Sequence, residues 1–262
     1  MTEQRRFAVI TGASSGIGLE LARQFGGEGY DLLICAEDDE LARAAADLAS
    51  TGVEVATVQA DLATPEGVEA LVAATVARGR DLDALVLNAG VGNGGAFLDI
   101  PLADEQRLIA LNIGSVVHLA KRLLPAMVAR GSGGLLITAS IASTMPGPYY
   151  ATYAASKAFG LSFAEAIRYE LKDTGVTVTA LMPGPTDTEF FERADMEDTT
   201  VGESKKDDPA EVARHGFAAF LAGKDHVVGG SMINKLQTAS ANLLPDPVKA
   251  AAHARLTKPE SD

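Results

Sequence analysis

Phe7-Ala8-Val9-Ile10-Thr11-Gly12-Ala13-Ser14-Ser15-Gly16-Ile17-Gly18, close to the start of the chain, is the stretch that decides the fold. Its four leading apolar residues read as a short strand, its centre as a glycine and serine turn, and residues 17–25 as a helix. Glycines in such a turn let the backbone bend tightly and approach a pyrophosphate. The helix beyond it offers free N–H groups and the positive end of its dipole to the phosphates. A plain connecting turn would use the same residues, so the position directly after the first strand is what favours a binding role.

Outward from the turn, short apolar runs alternate with longer amphipathic ones. Residues 31–35, 53–58, Ala84–Leu87, 135–138 and 176–181 read as further strands, with His226–Val228 as a possible seventh. Residues 40–48, Pro65–Ala77, 102–129, 153–171 and 209–222 read as helices. Thr64 caps the one that Pro65 opens, Asp208 and Pro209 open the last, and a kink near Pro125 is expected in the long one. The strand runs are almost continuously apolar, the pattern of strands buried on both faces. Strands alternating with helices imply crossover units and a parallel sheet. The expected fold class is α/β: a three-layer doubly wound (Rossmann) fold with a mostly parallel sheet of six or seven strands. No linker or repeat divides residues 1–262, so one catalytic domain is expected.

Composition narrows the function. The 262 residues are 47% hydrophobic and 22% charged, which excludes disordered and collagen-like chains. A single cysteine, Cys35, excludes an intrachain disulfide framework and cysteine-cluster zinc sites, and four scattered histidines have no metal-binding spacing, so no metal is expected. A net charge of −13 repels a phosphate backbone, so no nucleic-acid partner is expected. Residues 1–7 are polar and charged, and no run of about 18 apolar residues stands out, so a cytoplasmic chain without membrane contact is the expectation.

Two regions depart from the alternating rhythm. Residues 186–208 hold nine acids and three bases, a local balance of −6, and read as a solvated loop or a substrate lid. After Val227-Val228-Gly229-Gly230 the chain runs on through residues 231–262, with helices expected over 231–244 and 248–256 split by Pro245 and Pro247.

The glycine spacing is T-G-x-x-x-G-x-G rather than G-x-G-x-x-G. It resembles the short-chain dehydrogenase/reductase family, and the resemblance continues through Asp61-Leu62, Asn88-Ala89-Gly90, Asn112, Ser140, Tyr153-Ala154-Ala155-Ser156-Lys157 and Pro183-Gly184-Pro185-Thr186-Asp187-Thr188, in that order. The C-terminal region, with Asn234-Lys235 and Leu243-Leu244-Pro245, resembles a bacterial subgroup of reductases within that family.

Tyr153 and Lys157 stand four residues apart in a helical stretch and so share a face, as a mere surface pair also would. A free tyrosine has a pKa of roughly 10, and a nearby ammonium lowers it. Lowering it by roughly three requires about 4 kcal/mol, expected from Lys157 and the nicotinium charge together. The resemblance implies that Tyr153 exchanges the proton with the substrate oxygen, that Ser140 holds that oxygen, and that Asn112 supports a water chain to Lys157. It implies cofactor contacts from Gly12, Ser14, Ser15, Gly16, Ile17, Gly18, Asp61, Leu62, Asn88, Ala89, Gly90, Tyr153, Lys157, Pro183, Gly184, Thr186 and Thr188. Asp61 also reads as a capping residue, and Asn112 as a satisfied core amide or a kink.

Glu37, 19 residues beyond Gly18, is the acid placed to bind the adenosine ribose, with Asp38, Asp39 and Glu40 behind it. These acids could equally favour the start of the next helix. With no arginine beside them in the sequence, NAD(H) is favoured over NADP(H), although Ala36 stands where NAD-using relatives commonly carry Asp. The implied reaction is hydride transfer between nicotinamide and a carbonyl or secondary alcohol. Residues 91–95, 141–150 and 185–191, with Met145, Tyr149, Tyr150, Phe190 and Phe191, are the expected substrate wall and imply a small or medium apolar substrate. The acidic lid argues against phosphorylated or coenzyme-A-linked ones. Transient use of bound NAD by an epimerase or dehydratase, or a dinucleotide-sensing role, are the alternatives. A homodimer or homotetramer is expected, packed through the helices at 102–129 and 153–171.

Overall fold

A computed structural model describes residues 5–231 and 245–258. The strands are β1 (Phe7–Thr11), β2 (Asp31–Ala36), β3 (Val55–Gln59), β4 (Ala84–Leu87), β5 (Gly133–Thr138), β6 (Val176–Met182) and β7 (His226–Val228). They form one seven-stranded sheet in the order β3-β2-β1-β4-β5-β6-β7, and every pairing is parallel. The marginal seventh strand is thus present, and the sheet is parallel throughout.

Alternation along each strand explains the three layers. Phe7 and Val9 of β1 join one apolar core, while Ala8 and Ile10 join the other, on the opposite face. Helices cover both. On the first face lie α3 (Pro65–Ala77), α5 (Val116–Arg130) and α6 (Ala151–Glu170); on the second lie α1 (Gly16–Gly27), α2 (Glu40–Ala49) and α9 (Pro209–Leu221). Phe25 of α1 meets Tyr30, Phe217 and Phe220 edge-on, with ring centroids 5.1, 4.7 and 5.2 Å apart. Such aromatic pairs contribute about 0.5–1.5 kcal/mol each beyond the area they bury. Local capping follows the residues: Thr64 Oγ1 accepts from Gly67 N at 3.0 Å and Asp208 Oδ1 from Ala210 N at 2.8 Å, each ahead of a proline at the helix start.

The long helix expected over 102–129 differs from its reading. It is α4 (Leu102–Ile109), a π-helical segment (Ala110–Ser115) and α5. The irregularity lies at Asn112, whose side chain bonds outside the helix; Pro125 stays inside α5, which ends at Gly131 in the left-handed conformation (φ 77°). By length and composition the Leu102–Arg130 stretch could cross a membrane, contrary to the expectation that no run would qualify. Half of its most apolar window is buried, and Leu119, Leu123 and Met127 pack into the first core, so it is a core helix here.

Strand order reverses between β1 and β4, and a cleft opens there at the carboxyl ends of the strands, where parallel sheets bind ligands. Residues 186–208 lie over it, folded as α7 (Phe190–Arg193) and α8 (Thr200–Glu203) and closed at the base by a Thr186–Asp207 bridge. The helix expected over 248–256 is α10 (Asp246–Thr257), whereas the one expected over 231–244 lies, past Ser231, outside the described residues.

Candidate active site

The cleft has a volume of about 660 Å³, within the range of small-molecule sites. Gly12, Ser14, Ser15, Gly16, Ile17, Gly18, Glu37, Asp61, Leu62, Asn88, Ala89, Gly90, Ser140, Tyr153, Lys157, Pro183, Gly184, Thr186 and Thr188 all line it. Of the catalytic and cofactor-contact candidates, Asn112 alone stands behind the wall, 5% exposed.

The glycine turn sets one end. Gly12 has φ +64°, and a Cβ there would lie 2.9 Å from Ala89 Cα. A Cβ on Gly18 would overlap the Gly12 carbonyl oxygen and press on the Asn88 amide. Asn88 holds the turn, donating from Nδ2 to the Thr11 and Gly12 carbonyls at 3.2 Å and accepting from Thr138 Oγ1 at 3.1 Å. Ser15, the N-cap of α1, makes no side-chain cap bond, and the first turn carries no acid. The N-terminal N–H groups therefore lack side-chain acceptors.

The acids beyond β2 divide in a way the sequence did not indicate. Asp38 accepts a hydrogen bond from Ser14 Oγ at 2.9 Å through Oδ2, while its Oδ1 is buried in the cleft wall with no partner. Glu37 instead pairs with Arg107 of α4 at 2.5 Å, and Arg107 also reaches Asp61 at 2.8 Å. This corrects the expectation that no arginine neutralises the cluster: β2, β3 and α4 converge at this end of the sheet. The Arg107 hydrogen bond lowers the pKa of Asp61, whose Oδ1 also accepts from Ala63 N at 2.9 Å in the turn ahead of α3; the helix cap itself is Thr64 rather than Asp61. An unpartnered carboxylate oxygen, an uncapped helix start and a turn with no room for side chains fit the adenosine and pyrophosphate of a dinucleotide.

At the centre, Lys157 Nζ donates to the Thr138 carbonyl at 2.9 Å and lies 5.7 Å from the Tyr153 ring centroid. Asn112 Oδ1 accepts from Val91 N, and its Nδ2 donates to Val91 O, both at 2.9 Å, and to Ser156 Oγ at 3.0 Å. Ser156 Oγ donates to the Tyr153 carbonyl at 2.7 Å. Asn112 thus anchors both the Asn88–Val91 turn and the start of α6. Ser140 hydrogen-bonds the Tyr153 phenol and accepts from Ala142 N at 3.1 Å. Ser143, from the 3₁₀ turn Ile141–Thr144, ties that turn to the Lys157 carbonyl at 2.8 Å.

Burial pushes the Tyr153 phenol up to about 12, against the lowering hydrogen bond from Ser140, and pushes the Lys157 ammonium down to about 8. The chain alone therefore keeps Tyr153 protonated; the lowering expected from Lys157 and the nicotinium charge together requires the bound cofactor. Desolvation outweighs the lowering from Ser140.

The far side is apolar. Val91, Ile141, Ala142, Met145, Tyr150, Phe190, Phe191, Met196, Val201 and Leu256 face it. Tyr149, expected in this wall, instead lines a separate cavity of about 690 Å³ beside Asn93–Ala96. The 186–208 segment presents Glu189 and Asp207 to the cleft but also Arg193 and Lys205, so its −6 balance is not the charge of the cleft wall. Lys249, Ala252 and His253 of α10 complete the wall. Asp38 and Ser156 were visible beside motifs already singled out; Arg107 and His253 carried no local signal.

The family model for short chain dehydrogenase matches residues 6–198. The 1-deoxy-11-beta-hydroxypentalenate dehydrogenase of Streptomyces exfoliatus is 39% identical over 189 residues, 71% of this chain and 69% of the relative. A short-chain dehydrogenase from Sphingobium yanoikuyae in complex with NADPH superimposes with a TM-score of 0.81 at 30% identity, covering 91% of this chain and 94% of its own. A 3-ketoacyl-(acyl-carrier-protein) reductase from Brucella melitensis complexed with NADH gives 0.75 at 25% identity, covering 86% and 97%. This chain belongs to the short-chain dehydrogenase family and is an NAD(P)-dependent oxidoreductase of alcohol and carbonyl groups.

Proposed function

We propose that this enzyme reduces small or medium apolar ketones and aldehydes, or oxidises the matching secondary alcohols, through Tyr153, Ser140, Lys157 and Asn112, with NAD(H) preferred. The observation that carries the reading is the half-buried Tyr153, which lines the cleft with Ser140 and Lys157 at the point where an apolar wall meets the glycine turn. When bound, the nicotinamide cofactor supplies the hydride for reduction or accepts it in oxidation. Ser140 and Tyr153 hydrogen-bond the carbonyl oxygen. Tyr153 gives that oxygen its proton as the alcohol forms, and its high pKa keeps the proton available. Ser140 stabilises the developing negative charge. Lys157 keeps a positive charge beneath the phenol and favours the tyrosinate left behind. Asn112 fixes the α6 start that presents both residues.

The preference for NAD(H) rests on Asp38. Its unpartnered Oδ1 suits a ribose hydroxyl donor and repels a 2′-phosphate. Arg107 weakens that repulsion by holding Glu37 and Asp61, so the preference is a modest one. Residues 1–262 act as one catalytic domain in this reading, with 186–208 as the substrate lid and α10 of the C-terminal extension as part of the wall. The protein pairs as a homodimer through α4–α5 and α6, where Leu102 and Tyr169 are each 71% exposed and Phe159 stacks on Phe163 at 5.4 Å. A monomer by light scattering overturns the pairing.

The test is loss of NADH and NADPH absorbance over a panel of ketones, aldehydes and diketones, with Tyr153→Phe as control. Wild-type turnover that falls by about 10²–10⁴ in Tyr153→Phe, with cofactor binding nearly unchanged, is the expected result. Turnover retained in the variant removes Tyr153 from the mechanism. Efficient reduction of a polyanionic substrate removes the apolar assignment.

A further inference from the structure

α10 begins 93 positions beyond Tyr153 in sequence, yet Lys249, Ala252, His253 and Leu256 all face the cleft. Their spacing of three, four and seven is one face of a helix. Two polar side chains on this helix hold it in place. Thr257, 2% exposed, donates from Oγ1 to the Pro148 carbonyl at 2.8 Å. His253 bridges Pro146 and Tyr150: Nδ1 lies 2.9 Å from the Pro146 carbonyl and Nε2 lies 2.6 Å from the Tyr150 hydroxyl.

A carbonyl only accepts, so Nδ1 carries the hydrogen of the neutral ring. Nε2 is then the acceptor, and the Tyr150 O–H donates to it. Tyr150 is 6% exposed, and its ring stacks on that of Tyr153 at 5.7 Å and 27°. The loop between them is held under strain. Tyr149 has φ 63°, a conformation that bulky residues rarely adopt and that persists where surrounding contacts enforce it.

We propose that α10 is the specificity wall of this active site and that His253 is the positioning residue that sets it, latching the Pro146–Tyr150 loop, and through the stacked rings Tyr153, to the C-terminal helix. The inference rests on the oxidoreductase reading of the cleft. It makes the size limit on the substrate a property of the C-terminal extension rather than of the glycine-turn end. With the latch intact, Tyr150 and Leu256 form a fixed wall that a small ketone packs against and a bulky one meets. With the latch lost, the small ketone loses its packing and the bulky one gains room.

The experiment compares wild type, His253→Phe, His253→Gln and Tyr150→Phe in the full-length protein. KM and kcat are measured for one small and one bulky apolar ketone, NADH binding by fluorescence, and backbone hydrogen exchange over residues 246–257. In His253→Phe and Tyr150→Phe the KM of the small ketone is expected to rise about five- to tenfold, the scale of one lost hydrogen bond. The bulky ketone gains relative to it, NADH binding stays within about twofold, and the helix amides exchange faster. His253→Gln, which can still meet the Tyr150 hydroxyl, recovers most of the small-ketone KM. An unchanged ratio between the two ketones with unchanged exchange overturns the proposal, as does an equal loss of NADH binding and turnover. The exchange readout needs no turnover. Faster exchange in the variants supports the latch even if no ketone is reduced, and this separates its failure from that of the oxidoreductase reading.

Discussion

The two ends of the cleft are made of different material. The cofactor end is mostly backbone: a turn in which Gly12 and Gly18 leave no room for a Cβ, the uncapped start of α1, and the carboxyl ends of β1, β2 and β4. The apolar end is mostly side chain, with Met145, Tyr150, Phe190, Phe191, Met196 and Leu256 drawn from a loop, the 186–208 segment and the C-terminal helix. Backbone geometry is set by sterics over a few residues and tolerates little change. A side-chain wall assembled from distant segments can be refitted without disturbing the sheet. One scaffold can thereby keep its chemistry while the substrate varies.

The sharpest way to break this contrast is Gly18→Ala. Overlap with the Gly12 carbonyl and Asn88 is expected to cost about 1–3 kcal/mol, seen as a ten- to hundredfold loss of dinucleotide affinity in a titration together with a lower melting temperature. Unchanged affinity means that the cofactor end tolerates refitting and that the contrast fails.

The second measurement addresses Lys157, at the junction of the two ends. Its ammonium is lowered to about 8, so the charge is present below that pH and lost as the pH rises through it. Reductive kcat/KM is expected to fall about tenfold per pH unit above about 8, while the Tyr153 proton, lost only near 12, contributes nothing in that range. A pH series of NADH binding sharpens the comparison. The same limb in binding assigns the lysine charge to the cofactor end, and its absence assigns it to the chemical step.

The smallest effect is expected at Arg107. Arg107→Ala leaves Glu37 and Asp61 unneutralised and should weaken NADPH binding more than NADH binding, by about two- to fivefold, as for other partly exposed pairs. Equal change in both cofactors removes Arg107 from the discrimination between them.

Legibility follows the same division. The strand runs, the cap at Thr64, the turn from Thr11 to Gly18 and the joint face of Tyr153 and Lys157 were readable because each depends on neighbours within a few residues. The break in the long helix was placed at Pro125, while the reading of Asn112 as a satisfied core amide or a kink was the one that held. What distorts it is Asn112 bonding to Val91, a contact with a strand end rather than with the helix itself. Tyr149 was misplaced into the substrate wall because composition says which residues are aromatic and not which way a strained loop turns them. Lys157 and the nicotinium charge were together expected to lower the tyrosine pKa; in the chain alone, burial, which no sequence window contains, raises it.

By itself, then, the sequence determined the parallel sheet, the glycine turn and the joint helical face of Tyr153 and Lys157, since periodicity, glycine sterics and helical spacing act locally. Tertiary structure alone decided that Arg107 reaches Glu37 across 70 residues and that His253 reaches Tyr150 across 103. Those contacts follow from strand order and from where the C-terminal helix docks, and both are outcomes of packing the whole chain into one core.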